Sequence, residues 1–147
     1  MLERWDGSVF ATGRAAYLDR DPSGRSQAAR IHVNVRFDED LLILAVLDTG
    51  AEWSVVETEI ANALGLLEQD GEAVTLSSRL GQHDGKLVRV SAELVAEEGD
   101  SIQVESTVFV CDTWPAGTFV GYNGLLERVR FAVDPDSNVV FFGTRDA

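Results

Sequence analysis

The sequence is poor in the residues that build cross-links and metal centres. Its 147 residues contain one cysteine, Cys111, and two histidines, His32 and His83. A lone thiol excludes an intrachain disulfide, and one Cys with two His is a meagre donor set, so neither a disulfide scaffold nor a metal centre is expected. This cysteine usage fits a reducing, cytoplasmic setting. Basic residues are scarce too: 12 Lys+Arg stand against 25 Asp+Glu, a formal charge of −13. Affinity for nucleic acid comes largely from Lys and Arg displacing counterions from phosphates, so neither nucleic acid nor an anionic membrane is an expected partner. The longest apolar run, Leu41 to Leu47, has seven residues, far below the roughly 20 of a bilayer span. The opening Met1-Leu2-Glu3-Arg4-Trp5-Asp6 places acids where an export signal carries positive charge and then an apolar stretch. With three prolines and no low-complexity run or internal repeat, nothing cuts the chain into modules.

What is present suits a single globular domain: 45% of the residues are hydrophobic and 25% charged, enough apolar side chain for one packed core. Residues 30 to 147 read as one folded unit. Residues 1 to 29 read as an N-terminal extension, with a strand over Val9 to Tyr17 and a polar, turn-rich loop from Asp19 to Ser26. Ile31, Val33, Val35 and Phe37 alternate with His32, Asn34 and Arg36, the period-2 pattern of a half-buried strand. Leu41 to Leu47 is apolar without alternation, which predicts a strand covered on both faces. A short helix is expected over Thr58 to Leu64, capped by Thr58 and ended by Gly65. Ala73 to Ser77 and Lys86 to Glu97 flank a glycine-bearing tip, Arg79 to Gly85, as in a long hairpin, and Ile102 to Val110 continues the sheet. Leu125 to Phe131 has the spacing of a two-turn helix, and Asp134-Pro135-Asp136-Ser137-Asn138 turns a last hairpin. Strands dominate, so the expected fold is mainly β: a small closed barrel with one or two short helices.

The chemistry centres on an acid at the end of the apolar strand, Leu47-Asp48-Thr49-Gly50-Ala51. Burying a carboxylate is costly unless hydrogen bonds or a shared proton compensate it, so a buried Asp48 implies a use. The plainer reading is that Asp48 opens a turn, because Asp-x-Gly is a common exit from a sheet. Gly117, Gly121 and Gly124 lack the following Lys-Ser/Thr of a phosphate loop, and Cys111 has no histidine near it in sequence, so neither is read as a site.

Three elements in order make the chain from about Ile31 to Phe142 resemble the retropepsin-like aspartic proteases, and the bacterial single-domain members more than the retroviral ones. They are the apolar strand leading into Asp48-Thr49-Gly50-Ala51, the glycine-containing hairpin Gly81 to Gly85, and Phe119-Val120-Gly121-Tyr122-Asn123-Gly124-Leu125-Leu126. The resemblance implies a barrel of the acid-protease type and an aspartic endopeptidase acting on polypeptide without metal or organic cofactor. Asp48 becomes the catalytic carboxylate; Thr49 offers a hydroxyl that holds two catalytic loops together, or is a plain turn residue; Gly50, lacking Cβ, lets its N–H approach the acid. Ala51, Glu52 and Trp53 follow on the substrate side, joined by Val120 and Tyr122; Trp53, Val55, Val120 and Leu125 either line side-chain pockets or pack the core. Gly81, Gln82 and His83 belong to a mobile flap or to an ordinary hairpin turn.

Two neighbouring carboxylates share one proton in this chemistry, yet Asp-Thr-Gly occurs once. A protease reading therefore requires a homodimer with Asp48 from each chain at the two-fold axis. Retroviral members carry Asp and Arg where this chain has Glu52 and Tyr122, so their bracing ion pair is either replaced by a Glu52–Tyr122 hydrogen bond or absent. The N-terminal extension is longer than in a minimal retroviral protease and could replace or block that family's terminal-strand interface. Doubling a charge of −13 opposes association. Two other readings stay open: a catalytically silent peptide-binding or dimerisation module on the same fold, and a monomeric acidic β-domain without a cleft.

Overall fold

The structure, a computed structural model, describes residues 1–25 and 29–145. Among them the chain forms thirteen strands, one α-helix and one 3-10 turn. The strands are β1 (Leu2–Glu3), β2 (Val9–Ala11), β3 (Gly13–Ala16), β4 (Ile31–Asp38), β5 (Leu41–Leu47), β6 (Ser54–Val55), β7 (Glu72–Ser78), β8 (Gly81–Leu94), β9 (Glu98–Gly99), β10 (Ile102–Val110), β11 (Phe119–Val120), β12 (Val129–Asp134) and β13 (Val139–Thr144). Helix α1 spans Thr58–Ala63 and the 3-10 turn Leu126–Arg128.

β4 and β5 form a hairpin across Glu39-Asp40, and β4 follows its alternation over Val33, Asn34 and Val35, buried, exposed and buried, whereas His32, on the expected polar face, is buried. β5 departs from expectation. Ile43 and Ala45 are buried and Leu47 packs against the main core, but Leu42 and Leu44 are 54% and 36% exposed and Val46 is half-buried. One face of this apolar strand is therefore open, and its lack of alternation misled because an outward leucine is tolerated where the sheet has no covering layer.

The helix also differs in its start. Thr58 does not cap it: its hydroxyl donates to the Cys111 carbonyl at 3.0 Å and accepts the Trp114 N–H at 3.1 Å, tying the helix to the 111–118 loop, while Glu57 occupies the cap position. The end is as expected. Gly65, at φ +71°, donates to the Asn62 carbonyl and Leu66 N–H reaches the Ala61 carbonyl, a Schellman pair that satisfies two orphan acceptors.

β7 and β8 form a longer hairpin than the sequence suggested. Pairing runs to Ser78 opposite Gly81, so the tip is Arg79-Leu80 alone, and Gln82 and His83 are strand residues. β8 then pairs with β10 over nine residues, Ile102 opposite Leu94 through Val110 opposite Lys86. At the C-terminus the expected two-turn helix shrinks to the 3-10 turn. Leu125 has φ −140°, outside helical geometry, and Val129 and Phe131 pair with Thr144 and Phe142 of β13. Sheet partners for a β-branched and an aromatic residue outweigh a helical spacing.

Hydrogen-bonded neighbours run β10-β6-β11-β5-β4-β8-β7, and the direct β8–β10 pairing turns the row back on itself. Two of its links, β6 and β11, are two residues long. The expected barrel thus takes the form of a curled seven-stranded sheet beside a separate four-stranded one, β12-β13-β3-β9. The N-terminal segment enters this second sheet. The strand foreseen over Val9 to Tyr17 breaks at Thr12 into β2 and β3; β3 pairs with β13 and β9, and Ala15 and Tyr17 join the main core. Of the loop foreseen over Asp19 to Ser26, Asp19–Arg25 contains turns, and Ser26 lies outside the described residues.

The main core gathers Val35, Ala45, Ala92, Val120, Leu125 and Phe142, among others; a second cluster around Phe109 and Trp114 lies beneath the β7–β8 hairpin. Phe109 is fully buried, so Phe109→Ala is expected to cost about 3–5 kcal/mol in urea unfolding. Leu80→Ala, at the exposed hairpin tip, should change stability by no more than about 0.5 kcal/mol.

Candidate active site

β5 ends beside β11, and the two run parallel, Val46 opposite Phe119 and Leu47 opposite Val120. Val46 N–H donates to the Thr118 carbonyl at 3.0 Å and Asp48 N–H to the Val120 carbonyl at 2.9 Å. The ladder therefore pins the backbone of the acid. The side chain is fixed locally: Asp48 Oδ1 accepts the Gly50 N–H at 2.9 Å, and the Ala51 N–H closes the turn on the Asp48 carbonyl at 3.2 Å. A Cβ on Gly50 would stand 3.3 Å from that Oδ1, a close approach that glycine makes easy.

Asp48 is half-buried rather than buried, and Thr49 and Gly50 are exposed. The correction has a simple cause. Side chains alternate along a strand, so Asp48 shares the open face of β5 with Leu42, Leu44 and Val46, not the core face of Ile43, Ala45 and Leu47. The Thr49 hydroxyl has no hydrogen-bond partner among the described residues.

The next residues interlock with the segment after β11. Tyr122 N–H donates to the Ala51 carbonyl and Asn123 N–H to the Glu52 carbonyl, each at 2.9 Å, and Trp53 bridges to Asn123. Gly121 N–H donates to Ser54 Oγ at 2.9 Å, and Ser54 is almost fully buried. A Cβ on Gly121 would meet the Trp53 carbonyl carbon and oxygen at 2.4 Å, so only glycine fits there. Glu52 and Tyr122 are thus linked through backbone neighbours; among the described residues no bond joins their side chains, and both are exposed.

A cavity of about 290 Å³ opens on the same side of β5, floored by Leu44, Val46 and Phe119 and edged by Asp21, Arg30, His32, Glu57 and Thr118. Its floor residue Val46 precedes Asp48 by one strand repeat, about 6.7 Å. Sequence reading missed Ser54, Arg30, His32 and Glu57. The alternation of β4 assigned His32 to a polar face, and nothing local signals that the 114–119 loop and the N-terminal segment cover it.

The remaining foreseen residues fall in two groups. Val120 and Leu125 are core, and Val55 lies in the second cluster; what Val120 offers the site is its carbonyl. Trp53 packs against that second cluster, which Leu76 of the hairpin also enters. Gly81 and Gln82 are exposed at the hairpin end. His83 is half-buried against Trp114, ring centroids 5.1 Å apart and edge to face, so the hairpin leans on the loop that walls the cavity. No cluster of His, Cys, Asp and Glu among the described residues has the arrangement to hold a metal ion.

The fold as a whole is similar to that of a solved structure. The chain superposes on a retropepsin-like aspartic protease from Rickettsia conorii with a TM-score of 0.57, at 20% sequence identity, over 88% of this chain and 98% of that one. The fold is retropepsin-like. No protein-family model matches the sequence, and no curated protein matches it. Within the retropepsin-like fold Asp48 sits where β5 leaves the curled sheet, on its open side.

Two expectations follow. Gly121→Ala should cost about 1–3 kcal/mol in chemical denaturation through overpacking, while Gly117→Ala, whose nearest contact would be Glu57 Oε2 at 3.5 Å, should fold as the wild type does. The carboxyl of Glu57 is held above the usual glutamate range by burial and, secondarily, by the charge of Glu59. A raised folded value means that Glu57 favours folding at low pH and loses that contribution as pH rises through its own titration. Thermal melts should accordingly show Glu57→Gln gaining on the wild type between acidic and neutral pH.

Proposed function

We propose that this chain is an aspartic endopeptidase that hydrolyses peptide bonds with a pair of Asp48 carboxylates, one from each copy of a homodimer. The observation carrying the reading is the Asp48 carboxylate itself. It is oriented by the Gly50 N–H, seated by the Val120 carbonyl and open to one side within a retropepsin-like fold. Asp-Thr-Gly occurs once in the sequence, so the second acid comes from a second chain.

The chemistry needs two acids in different protonation states. Side by side they share one proton; the ionised member draws a proton from water as the water attacks the scissile carbonyl, and the protonated member donates a hydrogen bond to the carbonyl oxygen. The tetrahedral intermediate then breaks its C–N bond as the departing nitrogen takes a proton. Thr49, exposed and without a hydrogen-bond partner among the described residues, faces its counterpart across the two-fold axis. An extended polypeptide lies along the open face of β5, with side chains entering the cavity floored by Val46 and Phe119. A lone buried Cys111 suits work in a reducing compartment.

Full-length wild type and Asp48→Asn, incubated with denatured protein over about pH 3 to 8, test the reading. Wild type should cleave, and the variant should lose at least about 100-fold in rate. Equal cleavage by both, or by neither, defeats it; binding of peptide by both without cleavage would instead establish the silent-module reading. Because each copy carries −13, added salt and acidic pH should both strengthen the dimer in sedimentation velocity. A tight dimer indifferent to both would contradict this account of its charge.

A further inference from the structure

We propose that the cavity beside Asp48 selects a tyrosine side chain of the polypeptide, and that His32 is the residue that distinguishes tyrosine from phenylalanine. The proposal rests on the endopeptidase reading for the cavity's role, and on the cavity's own chemistry for its preference.

His32 is 8% exposed and lines the cavity. Its Nδ1 lies 3.1 Å from the Arg30 carbonyl and 3.3 Å from the Leu18 carbonyl. Two acceptors at that nitrogen place the proton of the neutral ring there, so Nε2 carries a lone pair. No described residue donates to Nε2. Nε2 is not among the buried unpartnered atoms, so it is open to the cavity, and a ligand that brings an O–H takes the place of water at that lone pair.

Charge narrows the ligand further. The Arg30 guanidinium stands 5.8 Å above the Phe119 ring and makes no ion pair among the described residues. On the same wall lie the carboxyl groups of Asp21 and Glu57. An acidic side chain entering here meets those carboxyls, and a basic one meets Arg30, so a neutral tip is favoured. The floor of Leu44, Val46 and Phe119 is apolar and calls for a ring rather than a short amide. A phenol satisfies each demand: its ring packs on the floor, its O–H donates to His32 Nε2, and its oxygen accepts from Arg30. Sites built to hydrogen-bond a hydroxyl discriminate strongly against the analogue lacking it.

The test uses the full-length chain with Asp48→Asn, so that binding is read apart from cleavage. N-acetyl tyrosinamide and its phenylalanine, glutamine, glutamate and lysine counterparts are titrated at up to millimolar concentration and followed by 15N NMR of the His32 ring. Tyrosinamide should bind about tenfold tighter than phenylalaninamide and move the Nε2 resonance. Adding His32→Phe should erase the preference, and Arg30→Met, a change at an exposed position that does not threaten folding, should narrow it. Equal binding of the tyrosine and phenylalanine ligands, tighter binding of any other ligand, no binding by any, or an Nε2 signal that stays still would overturn the proposal. Wild-type cleavage of matched Tyr and Phe peptides separates the two readings. Absence of cleavage with the binding preference intact refutes the endopeptidase alone, whereas cleavage without preference refutes the selectivity alone.

Discussion

The parallel contact between β5 and β11 is the constraint on which the rest of the candidate site depends. It is two residue pairs long, yet it fixes the backbone of Asp48 from the Val120 carbonyl and sets Gly121 against Trp53 and Ser54. A short ladder carries such responsibility only where its ends are locked. Here the lock is the absence of a side chain at Gly121 together with a buried Ser54 hydroxyl that takes its N–H. An acid placed on a loop without that lock would wander, and carboxylate chemistry tolerates little misplacement.

The same strand explains why the proposed function calls for a second copy of the chain. Its core face joins the main cluster through Ala45 and Leu47, while its other face leaves Leu42 and Leu44 exposed and Val46 and Asp48 half-buried beside a cavity. An open apolar strip leading to a single oriented acid fits a surface that meets something else; in the proposed function that is a second copy supplying the other carboxylate, together with an extended polypeptide. In that proposal acidity works against the pairing, which pH and ionic strength would then tune. The terminal strands take no part in leaving the site open: β3 is paired with β13 and β9 within its own chain, so the N-terminal residues stabilise the domain's second sheet.

Several elements were legible in advance because they depend on local chemistry. The alternation of β4, the Gly65 helix end, the β8 and β10 strands and the last hairpin all follow from side-chain period or from glycine and turn preferences. So does the placement of Asp48 at the end of β5 and of Gly121 after β11, because Asp-Thr-Gly after an apolar strand and a glycine after Phe119-Val120 are contiguous motifs. The misreadings share a different cause. Thr58 was expected to cap its helix but bonds to Cys111 and Trp114, far along the chain; Val129 and Phe131 were expected in a helix but found strand partners in β13; Asp48 was expected to be buried but lies on the face that no layer covers. In each case long-range packing, or its incompleteness, overrode a local preference.

Composition and motif alone determined that this is a β-rich domain with one Asp-Thr-Gly acid, no disulfide and a strong negative charge, because those properties reside in residue types and short spacings. Only the tertiary structure decided which face of β5 is open, which carbonyl seats Asp48, and that Arg30, His32 and Glu57 meet around one cavity. Those residues are far apart in sequence, and what brings them together is the closing of long-range strand pairs, whose partners no local pattern names.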